Sequence, residues 1–124
     1  DYDFLVLDFH AETSAEKMAM GHFFDGKATL VVGTHTHVPT NDARILENGT
    51  AYLTDAGMTG NYNSVMGYDK HIFIKKFLKE DVKKNFPKPD NISLCGVIVD
   101  ADLNTGFAIN VEIFICGGEL KNSY

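Results

Sequence analysis

The chain is poor in the residues that polyanion-binding and membrane proteins depend on. It has one arginine, Arg44, and only 11 lysines and arginines together against 17 acidic residues, for a net charge of -6. Nucleic-acid affinity is mostly cation contact with phosphates, so this balance argues against such a partner. A single guanidinium also leaves no clamp for a phosphate, and any phosphate chemistry would have to be neutralised chiefly by metal ions. No run approaches the ~20 apolar residues of a membrane span and no signal peptide is recognisable, so a soluble, cytoplasmic protein with no membrane partner is expected. Cys95 and Cys116 lie in apolar β-like runs without CxxC spacing, which predicts buried, reduced thiols rather than a disulfide or thiolate metal ligands.

What is present fits one globular domain with a core: 124 residues, 44% hydrophobic and 23% charged. The run Phe4-Leu5-Val6-Leu7, leading into Asp8-Phe9-His10, reads as a strand buried on both faces of a parallel sheet. Thr13 followed by Glu16 is a capping-box pattern that starts a helix, and Ala15, Met18, Ala19, His22 and Phe23 share one face at helical spacing. Asp25-Gly26 stops that helix, and Thr29-Leu30-Val31-Val32 is a second strand. Strand, helix, strand implies a right-handed unit with parallel strands, which end on the same side.

His10 and the pair His35 and His37 both lie just past the carboxyl end of their strand, the edge where open α/β sheets place ligands. In an extended segment residues i and i+2 point to one face, so His35 and His37 are expected to reach into one crevice with His10 and share the coordination of one or two ions. Imidazole suits zinc, iron, manganese or copper. The nearby carboxylates Asp8, Glu12 and Asp55 are too few to define a magnesium or calcium site.

Beyond the histidines, Glu47-Asn48-Gly49-Thr50 between two short apolar runs predicts a hairpin. Residues 54–69 form a long loop rich in glycine and asparagine, expected to rim the site, with Asp55 and Thr59 as candidates for substrate contact. Asp55 also suits a turn or cap, or it could be a metal ligand or a partner to one. Asp69 caps a predicted helix carrying Ile72, Phe73, Ile74, Phe77 and Leu78. After it come a charged stretch from Lys79 to Lys84 and breaks at Pro87 and Pro89, and His71 on its first turn reads as a surface residue. Ile92 to Val99 and Phe107 to Ile115 form a second hairpin, in which Asp100, Asp102 and Asn104 belong to a plain turn rather than a calcium loop. The chain opens at Asp1 almost directly into a strand, and it reads as part of something larger whose further strands would cover the sheet and add ligands.

Three segments together carry a resemblance: Leu7-Asp8-Phe9-His10-Ala11-Glu12, Val32-Gly33-Thr34-His35-Thr36-His37-Val38 and Leu53-Thr54-Asp55-Ala56-Gly57-Met58-Thr59-Gly60. In this order they resemble the C-terminal half of the bacterial YmdB-type metallophosphoesterases of the calcineurin-like superfamily, and the likeness spans nearly the whole chain. It implies an α/β fold: part of a calcineurin-like sandwich, with a parallel βαβ start, then β-hairpins and a helix. Residues 1–124 would be the C-terminal part of a single metallophosphoesterase domain. The implied activity is hydrolysis of phosphodiesters, 2′,3′-cyclic nucleotides among them, by a dinuclear centre of iron, manganese or zinc. His10 resembles the family's isolated ligand histidine, and His35 and His37 resemble its HxH pair, divided between two ions. The family's remaining ligands and its leaving-group histidine lie in the N-terminal half, a partner this chain would need. The chain would therefore supply one wall of the site, with no secure catalytic residue of its own, and be inactive alone. A homo-oligomer stays open. So do two alternatives, a metal-binding or assembly module without catalysis and a capsule-synthesis relative. The latter family carries a tryptophan after the first site histidine, where this chain has Ala11 and no tryptophan anywhere.

Overall fold

The structure, a computed structural model, describes residues 2–83, 85–86 and 90–123. The expectations for Asp1, for the end of the charged stretch at Lys84 and for the breaks at Pro87 and Pro89 lie outside the described residues.

The first strand, β1 (Val6–His10), runs into a helix, α1 (Ser14–Phe24), and returns as β2 (Leu30–Thr34). The helix starts where the capping box dictates: Glu16 N–H donates to Thr13 Oγ1 at 3.3 Å, and Thr13 N–H donates to Glu16 Oε1 at 3.0 Å. β1 and β2 pair in parallel, from Val6 opposite Leu30 to His10 opposite Thr34, so the βαβ unit expected from the sequence is present. The hairpin follows as β3 (Arg44–Ile45) and β4 (Ala51–Leu53), with Gly49 at φ 97°, the left-handed conformation the Asn-Gly signal requires. β4 lies parallel beside β2, giving the order β1-β2-β4-β3. A second, antiparallel sheet has the order β5-β6-β7, from β5 (Gly60–Asn61), β6 (Ile92–Ala101) and β7 (Ala108–Cys116). The short strand β5 lies in what the sequence presented as loop. The second helix, α2 (Lys70–Phe77), precedes β6, and Asp69 caps it by accepting from the amides of His71 and Ile72.

Alternation along β2 and β4 sends side chains into two cores. Leu30, Val32, Ala51 and Leu53 meet Val97, Val99, Val111 and Ile113 of the second sheet, while Val31 and Tyr52 meet Leu5, Leu7, Met20 and Phe24 on the α1 side. Each such aliphatic or aromatic side chain taken fully from water contributes roughly 1.5–3 kcal/mol.

Two expectations are corrected here. β1 is not buried on both faces: among the described residues it is an edge strand, and Val6 is 60% exposed. The helix also buries a different face from the one its apolar periodicity suggested. Ala15, Met18, Ala19, His22 and Phe23 are all exposed, and Lys17 and Gly21, with Met20 and Phe24, turn inward. The reason is steric at one position and ionic at the other. A Cβ on Gly21 would lie 2.4 Å from the Tyr52 ring, so only glycine lets the helix come this close, and Lys17 finds an anion across the sheet. The thiols of Cys95 and Cys116 are free, as expected, but half-buried rather than buried.

Candidate metal centre

The carboxyl ends of β1 and β2 carry His10 and the turn 33–38. Gly33, next to last in β2, is glycine because nothing larger fits: a Cβ there would stand 1.8 Å from the Thr54 carbonyl oxygen and 3.0 Å from Cδ of Lys17. Beyond it the backbone does not continue as extended chain. His35 has φ 119° and His37 has φ 64°, conformations that cost a non-glycine residue roughly 1–3 kcal/mol each unless the surroundings fix them. The expected same-face projection of His35 and His37 therefore does not apply, since that rule holds only for extended chain.

The structure brings two of the three histidines together. Nε2 of His10 and Nδ1 of His35 are 3.0 Å apart, with the rings edge to face at 4.9 Å between centroids. A relay sets the tautomer of His10. Thr34 Oγ1 donates to Asp8 Oδ1 at 2.9 Å, so the same oxygen accepts from His10 Nδ1–H at 3.0 Å, and Nε2 keeps its lone pair. His35 Nδ1–H then donates to that lone pair, and to bind an ion through Nδ1 the His35 ring would take the other tautomer, protonated at Nε2. Two imidazole nitrogens bonded at about 2.0–2.1 Å to one ion are themselves separated by roughly 3 Å, so this pair fits as two ligands of one transition ion.

His37 turns elsewhere. Its Nδ1–H donates to the carbonyl oxygen of Met66 at 3.0 Å, which leaves Nε2 as the ligand atom, the usual arrangement for an imidazole that binds metal through its other nitrogen. Among the described residues no group of three histidine, cysteine, aspartate or glutamate side chains is gathered as a metal would need. His10, His35 and His37 thus share one sheet edge but not one coordination sphere, and ligands beyond this set would be required.

Asp55 does not face the site's surface. It is fully buried, and its oxygens are taken: Oδ2 accepts from Lys17 Nζ at 2.7 Å and from Thr36 N–H at 2.9 Å, and Oδ1 accepts from Gly57 N–H at 2.9 Å. Burial pushes its carboxyl up, but the Lys17 ammonium and the two amides outweigh it and hold the group below the usual carboxylate range. Asp42 follows the same pattern: burial raises it, and the hydroxyls of Thr54 and Thr40, the Thr54 amide and Arg44 together lower it. Thr59, the other loop candidate, is exposed. Lys17 escaped sequence reasoning, because a lysine on a helix reads as solvated. The signal that could have found it was its place on one helical stripe with Met20, Gly21 and Phe24.

Comparison with known proteins covers the same residues. A family model described as YmdB-like protein matches residues 1–114. The chain is 46% identical over 110 residues to the 2′,3′-cyclic-nucleotide 2′-phosphodiesterase of Bacillus subtilis (strain 168), an alignment covering 88% of this chain and 41% of that protein. It is 41% identical over 113 residues to a putative phosphatase/phosphodiesterase of Mycoplasma pneumoniae, covering 90% of this chain and 40% of the relative. A solved structure described as a novel phosphatase from Mycoplasma pneumoniae superposes with a TM-score of 0.88 at 38% identity, covering 96% of this chain and 43% of that one. The α/β architecture read from the sequence is thus shared with a solved phosphatase. The chain spans about 40% of the length of the curated relatives it matches.

Proposed function

Because the chain belongs to the YmdB-like family, we propose that it forms one wall of a phosphodiesterase centre acting on phosphodiesters, 2′,3′-cyclic nucleotides among them, with two transition ions of iron, manganese or zinc. The observation that carries this reading is the 3.0 Å approach of His10 Nε2 to His35 Nδ1 at the carboxyl end of two parallel strands. Bound there, the ions would supply Lewis-acid stabilisation of the phosphoryl charge and activation of water. The chain's own residues do the orienting. Asp8 and Thr34 hold the His10 ring with Nε2 outward, and the Met66 carbonyl does the same for His37.

In this reading residues 1–124 are part of a single metallophosphoesterase domain, and the remaining length of the relatives supplies the missing ligands. The exposed edge of β1, with Val6 and His10 on it, is where further strands of such a domain would add. A cytoplasmic setting belongs to the same reading, and the free thiols of Cys95 and Cys116 accord with a reducing compartment. A second reading, a metal-binding or assembly module without catalysis, is favoured by the fact that only two of the three histidines meet among the described residues.

The test is metal content together with hydrolysis of bis-p-nitrophenyl phosphate and 2′,3′-cAMP by the intact protein, repeated with His35→Ala. Turnover lost with His35→Ala supports the phosphodiesterase. An intact protein that holds metal and hydrolyses neither substrate favours the module.

A further inference from the structure

The Lys17–Asp55 ion pair is the most deeply buried charge in the described structure, both side chains being about 1% exposed, and no step of a phosphodiester hydrolysis touches it. A buried pair of this kind is a weak source of net stability, so its position needs another reason. The reason is visible in the partner atoms. Asp55 Oδ2 holds the amide of Thr36, the residue between the two histidines whose backbones take positive φ. Its Oδ1 holds Gly57 N–H, and its own backbone binds the Thr40 hydroxyl and amide, so Asp55 is anchored to the segment 54–57, to the middle of the histidine turn at Thr36 and, through its backbone, to Thr40 just beyond that turn. Lys17 reaches it from α1 past Gly33, whose missing Cβ leaves room for the lysine stem.

We propose that Lys17 and Asp55 are positioning residues that set the metal-ligand geometry of His35 and His37, by clamping Thr36 N–H and so fixing the left-handed turn on which both imidazoles stand. The proposal rests on reading those histidines as metal ligands. Neither residue touches metal or substrate; each acts through the turn.

Asparagine at position 55 has one acceptor oxygen where the carboxylate uses two, so it must abandon either Lys17 and Thr36 or Gly57. Titration of the intact protein with Co(II), followed by its ligand-field absorption, is the readout. Asp55→Asn is expected to weaken Co(II) binding about ten-fold and to alter the spectrum, in the range known for partners that orient metal ligands. In a background with both His35→Ala and His37→Ala the same substitution is expected to change affinity by less than about two-fold, because the clamp then has neither imidazole to act through. Should Asp55→Asn fail to fold because it leaves the Lys17 ammonium buried and unpaired, Lys17→Met combined with Asp55→Asn removes both charges and one acceptor oxygen while nearly keeping volume, and the same loss is expected. Equal weakening in both backgrounds, or unchanged binding and spectrum in Asp55→Asn or in the double variant, overturns the proposal while leaving the metal reading intact. Wild-type protein that takes up no Co(II) overturns the metal reading, and this proposal with it.

Discussion

The turn after β2 and the segment around α2 are both irregular and both border His37, yet they are held in opposite ways. The turn is fixed from beneath by buried polar groups: Asp55 accepts from Thr36 N–H, Lys17 donates to the Asp55 carboxylate, and Thr40 Oγ1 accepts from Asp55 N–H. The α2 segment has no buried residue in its helix, and Ile74, Phe77, Leu78 and Phe86 stand exposed, Phe77 at 79%. It is held by Tyr68 stacked on Phe73 and on Phe86, by the Asp69 cap and by Asp69 N–H donating to the Asn85 carbonyl oxygen. A strained ligand turn needs an over-determined base, and the sequence provides one in charges rather than in hydrophobic area. An apolar helix face, by contrast, has formed here without being covered by the described residues.

That contrast can be broken most severely at Gly33. Gly33→Ala forces a methyl group into the Thr54 carbonyl and the lysine stem, and a loss above about 4 kcal/mol is expected in urea denaturation, since backbone on neighbouring strands must part. Next comes Lys17→Met, which leaves Asp55 charged and alone in the interior. A loss of roughly 3–5 kcal/mol is expected, with part of it recovered when Asp55→Asn is added, which removes the unpaired charge and keeps one acceptor for the amides of the turn. A double variant no more stable than Lys17→Met would mean that the pair is not the source of the cost. On the other side of the comparison, Phe77→Ser in exposed α2 is expected to change stability by less than about 0.5 kcal/mol, far below either base substitution.

Acid should discriminate between the regions as well. Asp55 and Asp42 both have lowered carboxyl values in the folded chain, so they bind protons more weakly folded than unfolded. Their stabilising contribution is therefore fully present above the unfolded carboxylate value of about 4 and is lost as pH falls through the lower folded values. Urea midpoints between pH 7 and pH 3 are expected to fall less steeply in Asp55→Asn than in the wild type. Parallel curves would contradict the assignment. A smaller effect belongs to Thr13→Ala, which opens the capping box of α1 for about 1 kcal/mol, read as a small drop in melting temperature.

Much of this architecture was legible in the sequence where local chemistry decides. The capping box, the Asn-Gly hairpin, the Asp69 cap and the long terminal hairpin each rest on residues close together in the chain, and each formed. What was not legible depended on partners far away. The buried face of α1 was misread because Lys17 and Gly21 do not count as apolar, and their reasons to turn inward, Asp55 and the Tyr52 ring, lie more than 30 residues on. The site was legible in part: strand order brought His10 to His35, but the left-handed backbone at His35 and His37, imposed by Asp55 from beneath, left no local trace.

The central claim, that His10 and His35 converge as ligands of one ion, is tested most directly by anomalous diffraction from crystals of the intact protein grown with manganese or zinc. The expected result is an anomalous peak about 2.0–2.3 Å from both His10 Nε2 and His35 Nδ1. A metal-replete crystal with no peak between those two nitrogens, or with the ion bound to neither, would contradict it.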